Sequence, residues 1–244
     1  MSTALLVLTA VLWGAATGTL LPRAAHRFSV PSGEAWRQEC PGGHSIRGWV
    51  GWARCGECAR EGSSYGPGTF LLSLSTALVC AALAAATGTR PELVVWLLLA
   101  PVGVLLAVVD FRVQRLPDVL TLPLAAAALA LLGLAALAPE HAGDWFTALY
   151  GALALGGGYF VLFLINPSGM GFGDVKLALG TGAVLGWYGW PTVLLGTFAG
   201  FLFGAVYGGV LVVARGAGRK TSIAFGPFLI AGAFVGLLIG AYTA

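Results

Sequence analysis

Leu93-Val94-Val95-Trp96-Leu97-Leu98-Leu99-Ala100-Pro101-Val102-Gly103-Val104-Leu105-Leu106-Ala107-Val108-Val109-Asp110 carries its sole charge on its last residue. A helix needs about 20 predominantly apolar residues to cross the hydrocarbon core of a bilayer, and residues 93–110 fit that ruler. Comparable runs of Ala, Leu, Val, Gly and Phe fall at residues 4–21, 69–88, 118–137, 145–165, 175–189, 192–214 and 224–242. The fold class read from them is an all-α integral membrane protein of about eight transmembrane helices. The spans around Gly186 to Pro191 are separated only by a short Trp-Tyr-Gly-Trp-Pro turn. The abundant Ala and Gly suit close helix packing in lipid.

Composition agrees. The 244 residues are 58% hydrophobic and 9% charged, with a mean hydropathy of +0.87, whereas a soluble domain carries about 25% charged residues. The net charge of +3 is spread over short basic clusters, so membrane lipid, and no nucleic acid, is the expected surrounding. Lys and Arg near span ends stay on the cytoplasmic side. Alternate connections hold Arg23, Arg27, Arg37, Arg47, Arg54 and Arg60, then Arg112 and Arg115, then Lys176, then Arg215, Arg219 and Lys220. The remaining connections hold only Arg90, with Glu92, Glu140 and Asp144. That pattern predicts an outside N-terminus.

Residues 1–21 lack a basic n-region, and Leu20-Leu21-Pro22 is a poor small-residue cleavage site, so the stretch reads as a retained first span. Residues 22–67 form one larger hydrophilic cytoplasmic loop, in which Trp36, Trp49 and Trp52 point to an ordered unit. Residues 68–244 form the membrane domain. Three of the four cysteines, Cys40, Cys55 and Cys58, share the loop, which favours a metal site over a disulfide framework in a reducing compartment. Cys80, inside a span, reads as a small apolar residue. His26 and His141 read as solvated loop side chains.

Ionisable groups in or beside spans are costly in lipid and are functional candidates by default. Asp110 ends the third span, Asp118 opens the fourth after Pro117, and Asp174 opens the sixth in Gly171-Phe172-Gly173-Asp174-Val175-Lys176. All three are expected at one level of the membrane. Each has a plainer reading. Asp118 and Asp174 sit where a carboxylate caps a helix N-terminus, and Asp110 has Arg112 and Arg115 within reach as ion-pair partners. Asp110 nonetheless stands at a helix C-terminus, where the dipole opposes a negative charge. Gly171 and Gly173 allow close approach of backbone or substrate. Two carboxyls brought together in a low dielectric cannot both ionise easily, so one keeps its proton while the other takes a proton from water. That is an arrangement for hydrolysing amides.

These residues resemble the type IV prepilin peptidases, membrane aspartic proteases of the Gly-x-Gly-Asp class. The resemblance is carried by Asp110 with Leu116-Pro117-Asp118-Val119-Leu120-Thr121-Leu122-Pro123, by Gly169-Met170-Gly171-Phe172-Gly173-Asp174-Val175-Lys176-Leu177, and by Ala224-Phe225-Gly226-Pro227-Phe228-Leu229. It covers residues 95 to 240 well and the first span and loop more loosely. It implies Asp110 and Asp174 as the catalytic pair, with Asp118, Gly171, Gly173 and Lys176 supporting them. It also implies a prepilin or pseudopilin precursor as substrate, cut at the cytoplasmic face of the bacterial inner membrane. Many members carry two Cys-x-x-Cys pairs in the first loop. Here the second is kept as Cys55-Gly-Glu-Cys58 and the first reads Cys40-Pro-Gly-Gly-His44, so the expected structural zinc site has three thiolates and an imidazole. Longer members also methylate the new N-terminus with S-adenosylmethionine, an activity the altered first pair leaves open. A proton-coupled transporter would instead need acidic groups near the midplane and related half-repeats. A noncatalytic assembly partner would tolerate loss of both carboxyls.

Overall fold

The computed structural model describes residues 2–58, 65–167, 169–215 and 223–244. Arg60, Arg219 and Lys220, used above for orientation, lie outside the described residues. Among those described there are eight helices: α1 Thr3–Phe28, α2 Thr69–Thr87, α3 Glu92–Val113, α4 Asp118–Ala135, α5 Trp145–Ile165, α6 Phe172–Gly186, α7 Trp190–Arg215 and α8 Gly226–Thr243. The protein is an all-α integral membrane protein, and seven of these helices are long and apolar enough to cross a membrane.

The exception is α6. The apolar run suggested residues 175–189, and the helix occupies Phe172–Gly186, equally 15 residues long but displaced toward the N-terminus, with about 22 Å of rise. Gly171, in extended backbone, starts it ahead of Gly173 and Asp174, and Gly189, at φ +93, turns the chain into α7. Its surroundings compensate, since α6 packs against α4, α5, α7 and α8 and most of its residues are buried. Its closest approach is to α5, where a Cβ on Gly186 would meet Thr147 O at 2.5 Å. Glycine therefore lets two backbones touch, the mode of packing that replaces the hydrophobic effect between helices in lipid.

Helix α1 is longer than the first apolar run, which ended at Leu21, and carries Pro22 inside it. Proline has no N–H to give to the ladder, and here the opening is used. Arg23 N donates to Gly51 O at 3.0 Å, and Gly51 N donates to Leu20 O at 2.7 Å. The extension then holds the loop by its side chains. Arg23 Nη1 donates to Arg47 O at 2.7 Å, and Arg27 Nη1 donates to Gly48 O at 2.7 Å while its guanidinium lies 4.2 Å from the Trp49 ring centroid. This corrects the reading of His26 as a solvated loop residue. It lies in α1, is 5% exposed, and packs against Tyr65 with ring centroids 4.7 Å apart, because the loop folds back over the helix face that carries it.

At the end of the bundle away from the aspartates lies a polar cluster that the sequence did not announce. Glu92 is fully buried, and its Oε1 accepts from Tyr188 Oη and Ala142 N, both at 3.3 Å. Arg90 Nη1 stands 4.0 Å from the same oxygen. These contacts tie the starts of α3 and α5 to the α6–α7 turn.

Candidate active site

Asp110 sits in the last turn of α3, which Gln114 ends in the left-handed region at φ 52. The side chain is held from across the bundle, because Gly226 N, at the start of α8, donates to Asp110 Oδ2 at 3.0 Å. No larger residue fits at Gly226 without moving that carboxyl, since a Cβ would stand 2.6 Å from Asp110 Oδ2. The ion pair with Arg112 or Arg115 is not what holds Asp110. Arg115 donates to the carbonyls of Pro31 at 2.7 Å and Glu34 at 3.3 Å, and its guanidinium lies 4.2 Å from the Trp36 ring centroid.

Asp174 is the third residue of α6, and its Oδ2 accepts from Gly171 N at 3.2 Å. The capping reading therefore holds for one oxygen. The other, Oδ1, is buried and has no hydrogen-bond partner among the described residues. Asp118 follows the N-cap Pro117, and α4 has no side-chain capping bond among the described residues. Asp118 pairs instead with Lys176 Nζ at 2.6 Å, and that ammonium also lies 4.8 Å from the Phe172 ring centroid. Gly173 lets α6 start against the α3–α4 connection, where a Cβ would meet Leu116 Cβ at 2.9 Å.

Asp110, Asp118, Asp174, Gly171, Gly173 and Lys176 line a single cavity of about 510 Å³ together with Ser32, Gly33 and Trp36 of the loop. Asp110 is 4% exposed and Asp174 6%, and both line the same cavity. Beneath them is an apolar floor that includes Leu106, Leu116, Tyr159, Val175 and Leu229. Two buried carboxyls on one polar cavity above an apolar floor can share a proton and present a water between them. Sequence reasoning placed Gly226 within a motif but missed its function as the donor to Asp110. The signal was Gly-Pro at the head of an apolar run.

The loop gathers its four ligand candidates. One ligand atom each from Cys40, His44, Cys55 and Cys58 lies within 4.8 Å of the others. Cys40 Sγ is 3.6 Å from Cys58 Sγ and from His44 Nδ1, and His44 Nδ1 is 3.2 Å from Cys58 Sγ. A tetrahedral zinc with bonds of about 2.3 Å to sulfur sets ligand edges of about 3.8 Å, so the donor set fits. Glu57 Oε2 lies 2.7 Å from His44 Nε2, the outer partner that leaves Nδ1 for a metal. Hydrogen bonding with Cys40 pushes the Cys58 thiol up to about 11, so a metal must displace protons to bind. Cys80 is fully buried in α2.

The fold and site define a class: a helical membrane protein in which two buried carboxyls from separate helices open onto one cavity. The model of the type IV leader peptidase family matches residues 94–209. A Pseudomonas aeruginosa protein named prepilin leader peptidase/N-methyltransferase is 30% identical over 273 aligned residues, covering 96% of this chain and 90% of that one. Proteins of the same name are 36% identical in Aeromonas salmonicida, covering 77% of this chain and 62% of that one, and 38% identical in Escherichia coli, covering 54% and 57%. No solved structure matches. The chain belongs to the type IV leader peptidase family. The comparisons give no support to the transporter or noncatalytic alternatives.

Proposed function

We propose that this chain is a prepilin leader peptidase of the bacterial inner membrane, with Asp110 and Asp174 as its catalytic carboxyls. The observation that carries the proposal is their convergence, from α3 and α6, on one cavity. One carboxylate takes a proton from water while the protonated carboxyl donates to the carbonyl oxygen of the substrate amide, giving a tetrahedral diol. The first carboxyl then passes its proton to the nitrogen, the C–N bond breaks, and the diol returns its proton to the second. Water supplies the new carboxylate of the leader. The backbone N–H groups of Gly226 and Gly171 fix one oxygen of each carboxyl, so little reorganisation accompanies the transfer.

The substrate is a pilin or pseudopilin precursor, with a short basic leader joined through a glycine to a long apolar helix. The distribution of basic connections supports a site that faces the cytoplasm and an N-terminus of α1 that lies outside. The region 22–67 is a zinc-holding unit on the membrane surface, and residues 68–244 form the peptidase. The relatives' names also carry N-methyltransferase activity. For this chain that second reaction, with S-adenosylmethionine as donor, rests on those names.

The test is the purified chain in lipid vesicles with a synthetic precursor of that form, its products read by mass spectrometry. A single cut after the glycine is expected, and a methyl group on the new amino terminus once S-adenosylmethionine is added. An uncut precursor rejects the peptidase reading, and an unmethylated product rejects the second activity alone.

A further inference from the structure

Tyr159 of α5 has no part in the reaction above, yet its position is unusual. It is 2% exposed, and its hydroxyl has no hydrogen-bond partner among the described residues. Its surroundings are aromatic and apolar: Phe201 and Phe225 flank the ring at 5.9 and 6.0 Å, and the floor cluster adds Val175 and Ala178. A phenylalanine would fill that space without burying an unsatisfied polar group, which is unfavourable in any apolar interior. The hydroxyl therefore calls for a partner.

Its neighbours place it at the carboxyl pair. Val175 follows Asp174, and Phe225 precedes the Gly226 whose N–H holds Asp110. One turn along α5, Phe163 packs on Phe172 at the head of α6, with ring centroids 5.3 Å apart. Tyr159 shares one buried cluster with Val175, and Asp174 Oδ1 is the other buried polar atom here without a hydrogen-bond partner among the described residues. The geometry points to Tyr159 as a positioning residue, whose hydroxyl donates through one bridging water to Asp174 Oδ1 and so fixes the rotation of that carboxyl. A water able to reach two or more polar partners is well placed in such a site. With Oδ2 already on Gly171 N, Asp174 is then held at both oxygens, and its proton transfers run along one direction.

This inference rests on the proposed function of Asp174, and the test keeps the two apart. Tyr159→Phe preserves the ring and its stacking and removes only the oxygen. In vesicles, with the glycine-junction precursor as probe, kcat is expected to fall about tenfold, the equivalent of one hydrogen bond, with KM within about twofold of the parent. Tyr150→Phe, the same change on the exposed side of α5, is the control and leaves both constants unchanged. A second readout does not depend on turnover. The infrared band that disappears in Asp174→Asn is expected to move in Tyr159→Phe and to stay in place in Tyr150→Phe. An unmoved band together with an unchanged kcat overturns the inference even where Asp174→Asn is inactive. Cleavage by Asp174→Asn overturns the catalytic reading instead, and the infrared band still decides whether Tyr159 and Asp174 are coupled.

Discussion

Gly226→Ala puts one methyl group where the structure has no room for it. The new Cβ would stand 2.6 Å from Asp110 Oδ2, 3.2 Å from Leu116 Cδ1 and 3.3 Å from Asp110 Cγ. Ordinary carbon–oxygen contacts begin near about 3.4 Å, so the carboxyl must withdraw by about 0.8 Å. It cannot do so and keep the 3.0 Å bond from Gly226 N. A misplacement of about 1 Å in a reacting group costs about 100-fold in rate, and that loss is expected in kcat with KM little changed. Overpacking adds a stability cost of about 1–3 kcal/mol, read as a lower melting temperature in detergent. Gly103→Ala is the matched control, because a Cβ there meets nothing nearer than Ile230 Cγ2 at 3.9 Å. Cleavage of the synthetic precursor would be measured for parent and both variants at saturating substrate. A Gly226→Ala enzyme within about threefold of the parent would refute the claim that this backbone N–H places Asp110.

Lys176→Met breaks the pair with Asp118. Because the Asp118 side chain is 59% exposed, the stability change is expected within about 1 kcal/mol, while kcat/KM falls by less than the loss in either Asp110→Asn or Asp174→Asn. Equal losses would promote Lys176 to the chemistry itself. Cys58→Ser is expected to lose bound zinc, measured by metal analysis against the parent. The parent should release zinc as pH falls, because protons compete for three thiolates and an imidazole; stoichiometric zinc in Cys58→Ser would remove that residue from the ligand set. Gly186→Leu forces α5 from α6, where even a Cβ meets Thr147 O at 2.5 Å, and is expected to abolish accumulation of folded protein. Gly157→Leu, with open space at its Cβ, should accumulate normally.

Much of this architecture was legible because lipid imposes a simple code. Long apolar runs located the helices, and three aspartates at the ends of runs marked the cavity that Asp110, Asp118 and Asp174 line together. The spacing of Cys40, His44, Cys55 and Cys58 likewise marked a set that the loop does gather. What escaped was set by tertiary contact rather than by pattern. The first apolar run ends at Leu21, yet α1 continues through Pro22, where Gly51 takes up the opened backbone groups. The apolar run at 175–189 has the length of α6 but misses its start at Phe172, because the first turn holds the glycine and the carboxylate of Gly173-Asp174. Gly226 contributes a backbone N–H, and the Gly-Pro pair at the head of α8 marks the position without revealing that Asp110 is its acceptor. Glu92 read as a marker of orientation, and its burial beside Tyr188 and Arg90 joins residues far apart in the chain. His26 read as solvated because the loop that covers it has no periodicity to reveal its fold.

The central claim is that the carboxyls of Asp110 and Asp174 act together on one amide. Single-turnover cleavage by the parent, Asp110→Asn and Asp174→Asn, each reconstituted in vesicles at equal folded amounts, tests it most directly. Loss of a general acid or base costs about 100- to 10,000-fold, so both variants are expected to bind the precursor and leave it intact while the parent releases leader and mature helix. Cleavage at the parental rate by either variant would contradict the account.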